Sequence, residues 1–94
     1  MSKKEAIIEL IKNNHLLTKY NLERIGLFGS FIREQEFNDI DIFIEGNIEY
    51  KSLIDFKSEL ESLTNKKVDL VLEKFANPII LYRAKKEMIY VKEH

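Results

Sequence analysis

Ninety-four residues amount to one folding unit of ordinary size, so the length predicts a single domain over residues 1–94 rather than a two-lobed enzyme. Fifteen Lys+Arg against sixteen Asp+Glu leave a formal charge of −1, which does not suggest a general nucleic-acid binder. The absence of cysteine excludes disulfide scaffolds, thiolate nucleophiles and thiolate-held zinc, and two distant histidines, His15 and His94, do not make a histidine-rich metal site.

Along the chain, Lys3 to Asn14 places Ile7, Ile8, Leu10 and Ile11 at helical spacing, with Ser2 and Glu5 set as a capping box. Leu16, Leu17 and Tyr20 form a second short helical piece. Ile25, Leu27 and Phe28 then make a short buried strand that leaves through Gly29-Ser30 into a helical turn reaching about Gln35. Asp39 to Glu45 alternates cleanly, with Ile40, Ile42 and Ile44 on one face and Asp39, Asp41, Phe43 and Glu45 on the other. Tyr50 to Leu63 is the strongest helix, with Leu53, Phe56, Leu60 and Leu63 in its stripe. Lys67 to Glu73 is a further strand whose Val68, Leu70 and Leu72 oppose Asp69, Val71 and Glu73. Asn77-Pro78 caps a helix from Ile79 to Lys86, and Met88 to Val91 is a closing strand. The order predicts an α/β (α+β) fold: one mixed sheet of about four strands with helices mainly on one face. Tyr20, Tyr50, Tyr82 and Tyr90 read as half-buried packing groups, and Lys66-Lys67 and Lys85-Lys86 as solvated faces.

Three features carry chemistry. Asp39 and Asp41 stand two apart on one strand face, about 6.6 Å along it, where they repel by about 0.6 kcal/mol in water. Asp69 occupies the polar face of another strand. Gly29-Ser30 ends a strand where a helix begins, a place where backbone amides can hold an anion. Each alone has a plainer meaning: a solvated strand edge, a permissive turn, a helix cap. Carboxylate oxygens without histidine or cysteine suit Mg²⁺ or Mn²⁺ beside nucleotide phosphates.

Taken together, Leu27-Phe28-Gly29-Ser30-Phe31-Ile32-Arg33, Asn38-Asp39-Ile40-Asp41-Ile42 and Val68-Asp69-Leu70-Val71 resemble the minimal nucleotidyltransferases (MNT) of the DNA polymerase β superfamily. The resemblance implies a polymerase β-like palm and a transfer of AMP from ATP. It implies that Asp39, Asp41 and Asp69 bind two Mg²⁺ ions and that Asp69 serves the acceptor hydroxyl as base or ligand. Gly29 and Ser30 would hold the nucleotide phosphates, with Arg33 near them. Two features depart from the family pattern. Only eight residues separate Ser30 from Asp39, and Glu34 stands where glycine usually follows the arginine, so the connecting loop should be tighter. Nothing resembling an acceptor-binding domain follows the last strand, and relatives of this size are commonly paired with a HEPN-domain toxin. The resemblance therefore implies an antitoxin that adenylylates a tyrosine of such a partner. A binding module that neutralises by contact and a small-molecule nucleotidyltransferase are the alternatives. With no export signal and no apolar run near the roughly 20 residues of a membrane span, a cytoplasmic protein is expected.

Overall fold

The computed structural model describes residues 3–29, 32 and 39–93. Helices α1 (Lys3–Asn13) and α2 (Leu16–Lys19) are followed by strand β1 (Ile25–Phe28), and β2 (Asp39–Ile44) comes next. Helix α3 (Tyr50–Thr64), strand β3 (Lys67–Leu72), a 3-10 turn (Glu73–Phe75), helix α4 (Pro78–Lys85) and strand β4 (Ile89–Val91) complete the order. The expected capping serine, Ser2, and the expected helical turn after Gly29, apart from the buried Ile32, lie outside the described residues.

The four strands form one mixed sheet in the order β3-β2-β1-β4. β1 runs antiparallel to both β2 and β4, whereas β2 and β3 are parallel. A parallel pair cannot be joined by a tight turn and needs a crossover, which α3 supplies. Alternation along the strands decides the faces. Ile25, Leu27, Ile40, Ile42, Ile44, Val68 and Val91 point into a core shared with Ile7, Ile11, Leu16, Leu17, Leu53, Phe56 and Leu60 of α1, α2 and α3. Fully burying such a side chain contributes about 1.5–3 kcal/mol. Leu63, expected in the α3 stripe, is 40% exposed because it falls in the last turn, where an open cleft separates it from α1.

Helix α4 differs from the other three. It buries none of its residues, although Asn77 caps it as expected by accepting from the Ile79 and Ile80 amides. Its last turn comes over the opposite face of the sheet, where Lys85 Nζ stands 5.7 Å from the ring centre of the fully buried Phe43. The tyrosines correct the expectation of uniform half-burial. Tyr20 is half-buried, edge-on to Phe56 and hydrogen-bonded to Glu59, but Tyr50 and Tyr82 are 74% and 65% exposed. Tyr82 sits on the outward side of α4, and Tyr50, the first residue of α3, borders an open cleft.

One local solution is invisible to sequence patterns. His15 enters α2 in the left-handed region (φ 53°) and gives no side-chain cap. Glu93 supplies it from the far end of the chain, accepting from the Leu17 amide at 2.5 Å, the Thr18 amide at 3.3 Å and the Thr18 hydroxyl at 2.6 Å. Burial opposes ionisation there, yet these donors hold the Glu93 carboxyl below its ordinary value.

Candidate active site

The face of the sheet away from the core carries the aspartates. The α3 crossover sets the β2–β3 register so that Asp41 stands directly opposite Asp69, while Asp39 stands opposite Lys67. Adjacent strands lie about 4.8 Å apart, so the Asp41 and Asp69 backbones are that close. At about 5 Å two carboxylates repel by about 0.8 kcal/mol in water and about 3 kcal/mol at an effective dielectric of 20. All three aspartates are partly buried. Asp41 is held above the ordinary carboxylate value by its burial first, then by Asp69, then by Asp39. It is the residue on which the charge crowding converges.

Gly29 meets the same group from β1. Phe28 pairs with Asp41 in the antiparallel register, and the chain then turns at Gly29 with φ +90°, a region that disfavours any side chain. A Cβ at Gly29 would also overlap Asp41 Oδ2 and lie 3.1 Å from its Cγ. The glycine is therefore required twice, for its backbone angle and for the space the Asp41 carboxylate fills.

The structure thus brings together Asp39, Asp41, Asp69 and Gly29; Ser30 and Arg33 lie outside the described residues. Among the described residues no three carboxylate, imidazole or thiolate side chains already close on a single point able to hold an ion. Glu45 and Glu73, which alternation also put on the acidic faces, are engaged at the far end of the strands. Glu45 takes Arg24 at 2.5 and 3.1 Å, and Glu73 accepts from the Gly46 amide at 3.1 Å. Lys67 had been read as part of a solvated face. Its ammonium lies 3.8 Å from Asp69 Oδ1, making it a cation on the aspartate face. The signal was present in the strand itself, since Lys67 precedes Asp69 by two residues and must share its face. Beside the aspartates, Tyr50, Ile54 and Lys57 of α3 and Asp69, Leu70 and Leu72 of β3 line a cleft of about 300 Å³. A larger cleft of about 620 Å³, around Arg24, Glu45 and Lys92, lies at the other end of the strands and holds none of the three aspartates.

A four-stranded mixed sheet with three carboxylates on adjacent parallel strands and a glycine turn at their side defines a polymerase β-like nucleotidyltransferase. The chain belongs to the family described as Polymerase beta, Nucleotidyltransferase, whose pattern matches residues 5–94, and within it to the minimal nucleotidyltransferases. It is 36% identical over 81 residues to the Methanocaldococcus jannaschii protein named "Putative protein adenylyltransferase MJ0435", the match covering 81% of this chain and 86% of that one. A second protein of that organism with the same designation, MJ1379, is 36% identical over 86 residues, covering 81% and 83% of the two chains. Among solved structures, a toxin–antitoxin with AMP-PNP shares 26% identity at a TM-score of 0.66, covering 84% of this chain and 68% of that one. The Shewanella oneidensis complex of a tri-AMPylated HEPN toxin with its MNT antitoxin has the same fold at 24% identity and a TM-score of 0.63, covering 88% and 70%. No helix among the described residues is long and apolar enough to cross a membrane.

Proposed function

We propose that this nucleotidyltransferase moves AMP from ATP onto a hydroxyl of a partner protein, a tyrosine of a HEPN-domain toxin, and so acts as its antitoxin. The observation that carries the reading is Asp41 facing Asp69 in register beside the Gly29 turn. The relatives named as protein adenylyltransferases and the HEPN–MNT complexes support the choice of a protein acceptor.

The donor set fits divalent magnesium or manganese. It offers carboxylate oxygens alone, and their mutual repulsion is what a small hard cation relieves. Asp39 and Asp41, together with Asp69, are the residues that would hold two such ions. When bound, these ions would polarise the α-phosphate and offset charge on the departing pyrophosphate. The chain's own groups do the rest. The Gly29 turn leaves an open backbone for the β- and γ-phosphates, with Ser30 and Arg33 assigned to the same phosphates by family pattern. Asp69, partly exposed on the outer of the two strands, takes the proton of the acceptor hydroxyl. The hydroxyl oxygen bonds to the α-phosphorus, the bond from that phosphorus to the bridging oxygen breaks, and pyrophosphate leaves with the electron pair.

Incubating the chain with ATP, Mg²⁺ and the HEPN-domain protein of its genomic neighbourhood, then measuring intact masses, tests this. The partner should gain one or more adenylyl groups with the native chain and none with Asp41→Asn. An unmodified partner would refute the transfer. If Asp41→Asn still silences the partner in cells, neutralisation is by contact instead.

A further inference from the structure

We propose that the outward stripe of α4, with Phe75 before it, is the surface that grips the acceptor protein, through an apolar patch edged with cations that fits an apolar face edged with Asp and Glu. This rests on the protein-acceptor reading above and names where that protein is held.

Helix α4 is eight residues long and buries none of them. Isolated helices shorter than about 12 residues are marginal in water, and those in proteins normally draw their stability from a buried face. Here the exposed side chains are the large apolar ones: Ile79 at 67%, Ile80 at 64%, Tyr82 at 65% and Phe75 at 77%. Single exposed apolar groups are ordinary, but four within eight residues make a patch of the kind that marks an interface. Ile79, Tyr82, Arg83 and Lys86 recur at three and four residues and so share one side. Lys86 Nζ lies 4.7 Å from the Tyr82 ring centre, as that spacing requires. The partly buried Leu81, Ala84 and Met88 recur on the inner side.

Charge selects the occupant. Between residues 73 and 87 stand four cations, Lys74, Arg83, Lys85 and Lys86, and two carboxylates, Glu73 and Glu87, in a chain whose total is −1. A second copy docking through a two-fold axis would set this positive rim against itself. An acidic partner would meet it with opposite charge and be steered onto it. Position ties the patch to the chemistry. Lys85, three residues beyond Tyr82, reaches over Phe43, and Phe43 is two residues from Asp41 on the same strand face, about 6.6 Å away. A partner held on α4 therefore docks on the helix whose last turn crosses the aspartate-bearing face of the sheet.

The test is titration calorimetry of the intact chain with the HEPN-domain protein, without ATP. Ile79→Asp should weaken binding by roughly ten-fold or more, as loss of a central apolar anchor does at interfaces. The paired Lys74→Glu and Lys86→Glu variant should weaken binding, most at low salt. Leu63→Asp, in the last turn of α3 beside α1, should bind like the native chain once its melting curve shows it folded. No binding by the native chain, or equal binding by Ile79→Asp, overturns the proposal. So does a native homodimer in sedimentation that Ile79→Asp dissolves. Lost binding by Ile79→Asp with no adenylyl mass on the partner from the native chain upholds the surface and refutes the transfer. Equal binding and equal modification by both refutes the surface and leaves the transfer standing.

Discussion

Asp41→Asn should end transfer and at the same time raise the stability of the metal-free fold at neutral pH. Asparagine keeps the shape that rests against Gly29 and removes the charge on which Asp69 and Asp39 converge. The two repulsions, across about 4.8 Å between strands and about 6.6 Å along one, are together worth about 1.5 kcal/mol at the dielectric of water. Partial burial of Asp41 raises that figure, while the 40% exposure of the Asp69 side chain screens it, so a gain of about 1–2 kcal/mol is expected. In a domain of this size each kcal/mol moves Tm by about 4–8 °C. The gain must depend on pH. In the fold Asp41 holds its proton to a higher pH than in the unfolded chain, so native stability falls as pH rises from the ordinary value of 3.8 through the raised one. Below that window the carboxyl is neutral in both states and the variant has no advantage. Calorimetric melting from pH 3 to pH 8 at low salt, without divalent ions, measures this. A variant less stable than the native chain at pH 7, or an advantage undiminished at pH 3, would refute the reasoning.

Gly29→Ala should destabilise by about 1–3 kcal/mol from its left-handed backbone alone, and displacing the Asp41 carboxylate should abolish adenylyl transfer, read by melting and by partner mass. Glu93→Gln should cost about 1–3 kcal/mol by weakening the charged acceptor at the start of α2. Because the Glu93 carboxyl sits below its ordinary value in the fold, its contribution is complete above 4.5 and is lost as acid protonates the folded group, so the two melting curves should converge in acid. Lys67→Ala should cost less than about 1 kcal/mol, since its 3.8 Å ion pair is largely exposed, and the loss should disappear in 1 M salt.

The elements were legible wherever the apolar period was unbroken. The Ile40, Ile42 and Ile44 alternation assigned the β2 faces, and the Leu53, Phe56 and Leu60 stripe oriented α3. Period two also put Asp69 on the polar face of β3. What it could not supply was which β2 residue Asp69 would face, because register between parallel strands depends on the crossover through α3. Local pattern likewise overlooked Lys67, read as surface because its neighbour is also lysine. The 3-10 turn at Glu73 ended β3 a residue early, where that side chain turns to the Gly46 amide rather than toward the aspartates. The exposure of Tyr82 escaped prediction for a related reason, since α4 has the caps of a helix and no groove beneath its outer side.

The cap on α2 has a consequence for how the protein is made. Its carboxylate lies 76 positions beyond the amide it receives, and β1, an interior strand, gains its second neighbour only from residues 89–91. A chain lacking these last residues can still pair β1 with β2 and β2 with β3, but one flank of β1 keeps its peptide groups unpaired. That open flank is the kind of edge that invites wrong partners. A released chain truncated between residues 72 and 89 should therefore be an aggregation-prone species that is a ready substrate for proteases.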